Sequence, residues 1–320
     1  MNLTTVSISS STQECPMTSR RTTSVLAAAS ALAVFALGAC SSTSSSSGSG
    51  AGGGAGDQVK VVASTDVWGS VVSAVGGDKV QVTSIIHDPS ADPHSYESTA
   101  DDALAAKKAQ LTLGNGGGYD EFFTKLSGEA ASAKKLVAYD IAKPGEENEH
   151  VWYDLPGVEK VADQVAAALG EIQPASKQKF DDNAKTFKAQ LDGLIKKAAA
   201  LGTAHPDTKV VVTEPVAHYL LKTANIADAT PKAFSDAIEN ETDVPAAAVS
   251  EFTKLIKEKQ VKALVNNVQT VTPLTKQAVA DAKASGVAVV DVSETLPANV
   301  TGYIDWMTKD VDSLSGALNS

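Results

Sequence analysis

Residues 174–201 constrain this chain more than any other stretch. One glycine, Gly193, interrupts its helix formers, and its proline stands at the first position, where a helix tolerates one. Phe180, Ala184, Phe187, Leu191, Leu194, Ile195 and Ala198 recur at helical spacing and make one apolar stripe opposite a charged face. At about 1.5 Å per residue such a helix is a rod of roughly 40 Å. That is long for a helix inside one lobe and suits a strut between two.

The sequence on either side of the rod reads alike. Before it, apolar runs predict strands over 59–63, 80–86, 111–113 and 136–139, with helices over 66–75, 98–108, 119–126 and 158–169 between and after them. After it, strands are predicted over 209–213, 261–265 and 287–292. Helices are predicted over 218–223, after a polar turn within 241–259, over 272–284 and over 303–318. Strand–helix alternation implies parallel sheets flanked by helices. The expected fold is α/β: an N-terminal lobe over 58–173, a linking helix over 174–203 and a similar C-terminal lobe over 204–320, with a cleft between the lobes.

The start of the chain reads as an address. Arg20-Arg21 precede an apolar segment over 25–37, and Leu37-Gly38-Ala39-Cys40 follows. Basic residues, an apolar core and small residues before a cut make a secretory signal. An apolar core of about 13 residues is too short to span a bilayer. Leu-Gly-Ala-Cys resembles the lipobox of bacterial lipoproteins, in which the cysteine becomes residue one and carries acyl chains. Residues 1–39 are therefore expected to be a signal peptide and Cys40 the lipidated residue. Residues 41–57 are nearly all Ser, Gly and Ala, a composition that cannot bury a core and acts as a flexible tether. Sixteen residues precede Met17, which is the expected true start; Cys15 would then fall away. Thr-Thr-Ser after the arginine pair fits a twin-arginine signal poorly.

With 27 Lys plus Arg against 38 Asp plus Glu, the net charge is −11, which argues against a nucleic-acid surface. Cys15 and Cys40 are the two cysteines and build neither a disulfide framework nor a CxxC site. Any metal site must use His, Asp and Glu.

Four side chains stand where such a site would form. Residues 85–97 read Ile-Ile-His-Asp-Pro-Ser-Ala-Asp-Pro-His-Ser-Tyr-Glu: a buried strand stopped by two prolines, with His94 delivered on a rigid turn. His150 follows a polar loop over 144–149 and opens His-Val-Trp-Tyr-Asp. Glu214 and Glu294 each follow a predicted strand. Singly, each has a plainer reading: an exposed loop histidine, a histidine packed beside Trp152, or a capping carboxylate. Ligands in open α/β sheets bind beyond the carboxyl ends of strands. If the lobes face one another, His94, His150, Glu214 and Glu294 meet, and two imidazoles with two carboxylates are a competent divalent-metal set. Asn115-Gly116-Gly117-Gly118 needs glycine freedom but is no phosphate loop, since no Lys-Ser or Lys-Thr follows.

This pattern resembles the metal-specific solute-binding proteins of ABC importers, the zinc and manganese receptors, over about residues 58–318. Asp92-Pro93-His94-Ser95-Tyr96-Glu97 is similar to that family's Asp-Pro-His-x-Tyr-Glu, and Asn115-Gly116 to its Asn-Gly turn. Glu149-His150-Val151-Trp152 resembles its Pro-His-x-Trp, with Glu149 in place of the proline. Thr213 to Lys222 resembles the segment that supplies the third ligand. Ser293-Glu294-Thr295-Leu296 resembles its Asp-Ser-Leu stretch, with Glu294 in place of the aspartate. The resemblance implies two lobes on a rigid helix, limited closure, and delivery of the ion to a membrane permease driven by a cytoplasmic ATPase.

The choice between Zn²⁺ and Mn²⁺ stays open. The long histidine-rich loop of many zinc receptors is missing, and two carboxylates suit a harder ion such as Mn²⁺. Against this, His218 lies four residues after Glu214, on one face if both are helical. His218 is the alternative third ligand and would give a three-histidine zinc site. His87 and His205 lie in Asp/Pro loops and are expected to be exposed. Asn267 and Asp66 are candidates for orienting ligands from behind. The expected role is capture rather than catalysis, by a monomer held through lipid on the outer face of the cytoplasmic membrane, with no nucleic-acid partner. A metallohydrolase, a lipid-tethered adhesin and an organic-solute receptor are the alternatives. The first lacks His-Glu-x-x-His, and the last lacks arginine, since Arg20 and Arg21 are the only two.

Overall fold

A computed structural model describes residues 58–89, 91 and 96–320. The signal segment, Cys40, the tether and His94 lie outside the described residues.

Stretches rich in Val and Ile form β1 (Val59–Thr65) and β2 (Val80–Ile86), separated by α1 (Asp66–Gly76). Then come α2 (Ala100–Lys108), β3 (Leu111–Gly114), α3 (Glu121–Glu129), β4 (Lys134–Val137), the short α4 (Ala138–Ala142) and α5 (Leu155–Ile172). Thr99 and Asp102 form a reciprocal cap at the start of α2. The four strands make one all-parallel sheet in the order β2-β1-β3-β4.

One 3₁₀ turn at Pro174–Ser176 leads into α6 (Lys177–Ala204), the rod expected from the apolar stripe. Its buried face carries Phe180, Ala184, Phe187, Leu191, Leu194, Ala198 and Leu201. The second half then runs β5 (Lys209–Val212), α7 (His218–Thr223), β6 (Ala227–Asp228), α8 (Lys232–Glu239), α9 (Ala246–Lys257), β7 (Ala263–Asn267), α10 (Pro273–Ser285), β8 (Ala288–Val292) and α11 (Tyr303–Asn319). Its sheet is also all-parallel, in the order β6-β5-β7-β8. The two parallel-sheet lobes and the long helix are thus as the alternation predicts.

Three details differ from the sequence reading. Strand β4 lies two residues earlier than expected, because Ala138–Ala142 closes into a helix whose first turn is anchored by Tyr139 N–H donating to Asn115 O at 2.8 Å. Helix α5 starts at Leu155, with a proline in its first turn where the missing N–H costs nothing. Elements β6 and α8 were not anticipated. Both are short and polar outside, and α8 buries Phe234, Ser235, Ala237 and Ile238.

The lobes share more than the rod. One apolar cluster runs from β1 and α1 through α5 and α6 to β5, β8 and α11. Within it Trp68, Trp152, Tyr153, Tyr303 and Trp306 are fully buried. The last helix returns to the first lobe: Tyr303 N–H donates to Ser70 Oγ at 2.8 Å, and Tyr303 Oη donates to Trp152 O. Smaller clusters fill the outer face of each sheet. Parallel strands put all their carboxyl ends on one edge of each sheet, and Glu214 and Glu294 follow two of those ends, β5 and β8.

Candidate metal centre

Strand β5 ends at Val212, and Thr213 and Glu214 continue it. Pro215 biases the residue before it to an extended backbone, and Glu214 has φ −147° and ψ 159°. Asn267 ends the neighbouring strand β7, beside the point where strand order reverses in this sheet. Its backbone N–H donates to Thr213 Oγ1 at 2.9 Å, and its Oδ1 accepts from Gln269 N–H at 3.1 Å. The side-chain amide is therefore fixed with its nitrogen toward the cleft. Nδ2 donates to Glu214 Oε2 at 2.6 Å and to Glu294 Oε1 at 2.9 Å. Two carboxylates, 6% and 3% exposed, thus meet on one nitrogen. Like charges so close and so buried favour a cation between them.

Glu294 follows β8 in a turn gripped by Gln269. The Oε1 atom of Gln269 accepts from the backbone N–H groups of Glu294 (2.6 Å) and Thr295 (3.2 Å). Its Nε2 donates to Ala91 O, 3.0 Å away in the first lobe. Ala91 is three residues before His94. His94 itself lies outside the described residues; Ala91 is joined through the Gln269 side chain to the turn that carries Glu294. Leu296 N–H donates to Asp66 Oδ1 at 3.2 Å, a second tie between the lobes. Burial pushes the Asp66 carboxyl up to about 6.

His150 is fully buried. The Asn-Gly turn after β3 builds its foundation. Gly116 has φ +77°, and a Cβ there would collide with Val137. Asp120 caps the turn by accepting from Asn115 N–H (2.6 Å) and Gly116 N–H (2.8 Å). Burial still raises the Asp120 carboxyl above its ordinary range. Asn115 takes a hydrogen bond from Trp68 Nε1 at 3.1 Å and donates from Nδ2 to Glu149 O at 2.9 Å, which fixes the residue before His150. The imidazole packs edge-on to Trp152, with centroids 5.0 Å apart.

Asn148 sets the ring's orientation. Its Oδ1 accepts from His150 N–H at 2.9 Å, so Oδ1 is identified as the acceptor, and its Nδ2 donates to Pro215 O at 3.0 Å in the other lobe. His150 Nδ1 lies 3.1 Å from the same Oδ1 and must be the donor. In the neutral ring Nε2 then presents its lone pair to the cleft, as a metal-ligating imidazole requires.

The profile of the family described as zinc-uptake complex component A periplasmic (ZnuA) matches residues 61–317. The chain belongs to this family. Among relatives, the metal ABC transporter substrate-binding lipoprotein ScbA of Streptococcus cristatus is 26% identical over 251 residues, 73% of this chain and 78% of its own. The manganese ABC transporter substrate-binding lipoprotein scaA of Streptococcus gordonii has the same identity and coverage. The structure of the periplasmic zinc-binding protein TroA from Treponema pallidum has a TM-score of 0.67 at 18% identity, over 82% of this chain and 99% of that one; it shares the fold.

In this ZnuA-family chain the expected residues fall into two groups. Glu214 and Glu294 are joined through Asn267, whose Nδ2 donates to both. His150 lies beside Asn148, which reaches Pro215, the neighbour of Glu214. The helical-face relation proposed for Glu214 and His218 does not hold, because Glu214 is extended and the helix begins at His218. His218 Nε2 instead meets Glu146 Oε2 at 2.6 Å, on the acidic loop. That loop carboxylate also takes Lys222 Nζ, and the hydrogen bonds from Lys222 and then from His218 hold it below the usual range. His87 is exposed, whereas His205, at the end of α6, is half-buried.

The sequence reading missed Glu239. Its Oε1 lies 3.6 Å from His150 Nε2, and ligand atoms of Glu149, His150 and Glu239 all fall within 4.8 Å of one another. Among the described residues this is the cluster with metal-sized spacing. The available signal was Phe234 and Ile238 four apart, which marks a helix ending beside Glu239.

Proposed function

We propose that this protein captures a divalent transition-metal ion, Zn²⁺ or Mn²⁺, outside the cytoplasmic membrane and delivers it to the permease of an ABC importer. The ligands in this reading are His94, His150, Glu214 and Glu294. Cys40 carries the lipid that holds the protein to the outer face of the membrane, and residues 41–57 are the tether. The protein acts as a single copy and performs no catalysis. Deprotonated carboxylates and neutral imidazoles replace the ion's water shell, and binding releases protons.

The observation that carries this reading is the pairing of Glu214 and Glu294 on Asn267 Nδ2. Burying two carboxylates on one amide nitrogen costs stability unless a cation joins them. His150, turned by Asn148 to present Nε2, adds a nitrogen donor from the opposite lobe.

The test is calorimetric titration of the chelator-stripped protein, residues 41–320, with Zn²⁺ and then Mn²⁺, beside His94→Ala. Binding of one ion per chain that His94→Ala abolishes is expected. Absence of stoichiometric binding of both ions would sink the reading.

A further inference from the structure

Glu239 reaches His150 from the other lobe. Helix α8 ends at Glu239, whose side chain is 14% exposed, while His150 is fully enclosed. With Nδ1 donating to Asn148, Nε2 points its lone pair toward the Glu239 carboxylate. A charge-assisted N–H···O bond would bring the atoms to about 2.7–2.9 Å. The observed separation is 3.6 Å. Bonds of about 2.1 Å from each atom to a shared ion would span 3.6 Å at an angle of roughly 115°, within the range of tetrahedral and five-coordinate sites.

A second observation points the same way. Glu149 and Glu239 line a cavity of about 560 Å³ that also takes in Glu146, Asn148, His218 and Asp236. Glu147 and Asp228 add further carboxylates to its lining, alongside Lys232. A cation entering it meets the carboxylates of Glu149 and Glu239, whose ligand atoms lie within 4.8 Å of the imidazole's.

Resting on the receptor reading above, we infer that Glu239 is a further protein ligand to the ion held by His150. With Glu214 and Glu294 it makes the third carboxylate of the site, and it tilts selectivity toward oxygen-preferring ions such as Mn²⁺ and Fe²⁺ over Zn²⁺. Each added carboxylate raises the share of hard oxygen donors and the coordination number, and an ion that accepts five or six ligands gains more from it than one content with four.

The experiment uses chelator-stripped protein, residues 41–320, as wild type, Glu239→Gln and His150→Ala. Mn²⁺ and Zn²⁺ affinities are measured by competition with a chromophoric chelator, and Co²⁺ is used as a spectroscopic probe. Glu239→Gln is expected to lower Mn²⁺ affinity by about tenfold or more and Zn²⁺ affinity by less than about threefold. It should also intensify the Co²⁺ d–d bands as the site loses a ligand and moves toward a tetrahedron. Unchanged affinities with an unchanged Co²⁺ spectrum would overturn the inference while leaving the receptor reading intact. Equal losses for both ions with a lowered melting temperature would also overturn it, marking Glu239 as a support for the fold. If wild type binds neither ion, or His150→Ala binds both as wild type does, the receptor reading fails and this inference falls with it.

Discussion

Gln269 and Ala91 are joined across the two lobes by a 3.0 Å hydrogen bond from Nε2 to the backbone carbonyl. The other end of the same side chain accepts from the backbone of Glu294. One glutamine therefore couples the segment that leads to His94 with the turn that carries a carboxylate.

Gln269→Ala should loosen that coupling without touching a proposed ligand. Metal affinity is expected to fall by about tenfold, the usual scale for removing an orienting partner, with the melting temperature little changed. Titration of the stripped variant with Zn²⁺ checks it, and wild-type affinity would show that the bond is incidental.

Asn267→Asp would place a third carboxylate where an amide nitrogen now meets two. Repulsion should destabilise the metal-free variant by about 2 kcal/mol or more, since buried like charges are weakly screened. Bound metal should restore part of the loss, because the ion neutralises the cluster. Chemical denaturation with and without Zn²⁺ reads both effects.

Asp310 gives a prediction about pH. It lies on α11, 7% exposed, accepts from Tyr153 Oη at 2.9 Å, and burial pushes its carboxyl up to about 7. Between the unfolded value of 3.8 and about 7 the folded state keeps a proton that the unfolded state has lost. Stability therefore falls as pH rises through that window, with the penalty absent below it and complete above it. Asp310→Asn mimics the protonated acid and should remove this slope. Its gain over wild type should be small near pH 4 and reach on the order of 2–4 kcal/mol at pH 8. Parallel denaturation curves at pH 5 and pH 8 test it; the same difference at both would refute it.

Trp68→Phe should cost about 2–4 kcal/mol, from a smaller ring in a closed core and an unsatisfied Asn115 Oδ1. The indole N–H now donates to that oxygen at 3.1 Å, in the same turn that fixes Glu149 before His150. Urea denaturation measures the loss, and a wild-type midpoint would contradict it.

Much of the fold was legible because its signals are local. Residues 80–86 are apolar and β-branched between turn residues, and β2 spans Val80–Ile86. Ile304, Met307, Val311, Leu314 and Leu318 repeat at helical spacing; the last four are buried along α11, and Ile304 packs half-buried against the same cluster. The rod was legible for the same reason. Helix α8 was not, because eight residues, half of them polar, leave a weak periodic signal, and Glu239 was lost with it. The relation drawn between Glu214 and His218 failed because sequence spacing was read on a helix that Pro215 prevents from starting early enough.

By itself the sequence determined the two α/β halves and the rod between them, and it offered His94, His150, Glu214 and Glu294 as candidate donors. Those properties depend on hydrophobic period, turn chemistry and donor type, which neighbouring residues set. Tertiary structure alone decided that Asn267 Nδ2 faces two carboxylates, that Asn148 turns His150 Nε2 into the cleft, and that Glu239 arrives there from the opposite lobe. The Asn267 and Glu239 contacts join residues 27 to 89 positions apart, and Asn148, only two residues from His150, is itself held by Pro215, 67 positions on; only the packing of both lobes around α6 and α11 brings these groups together.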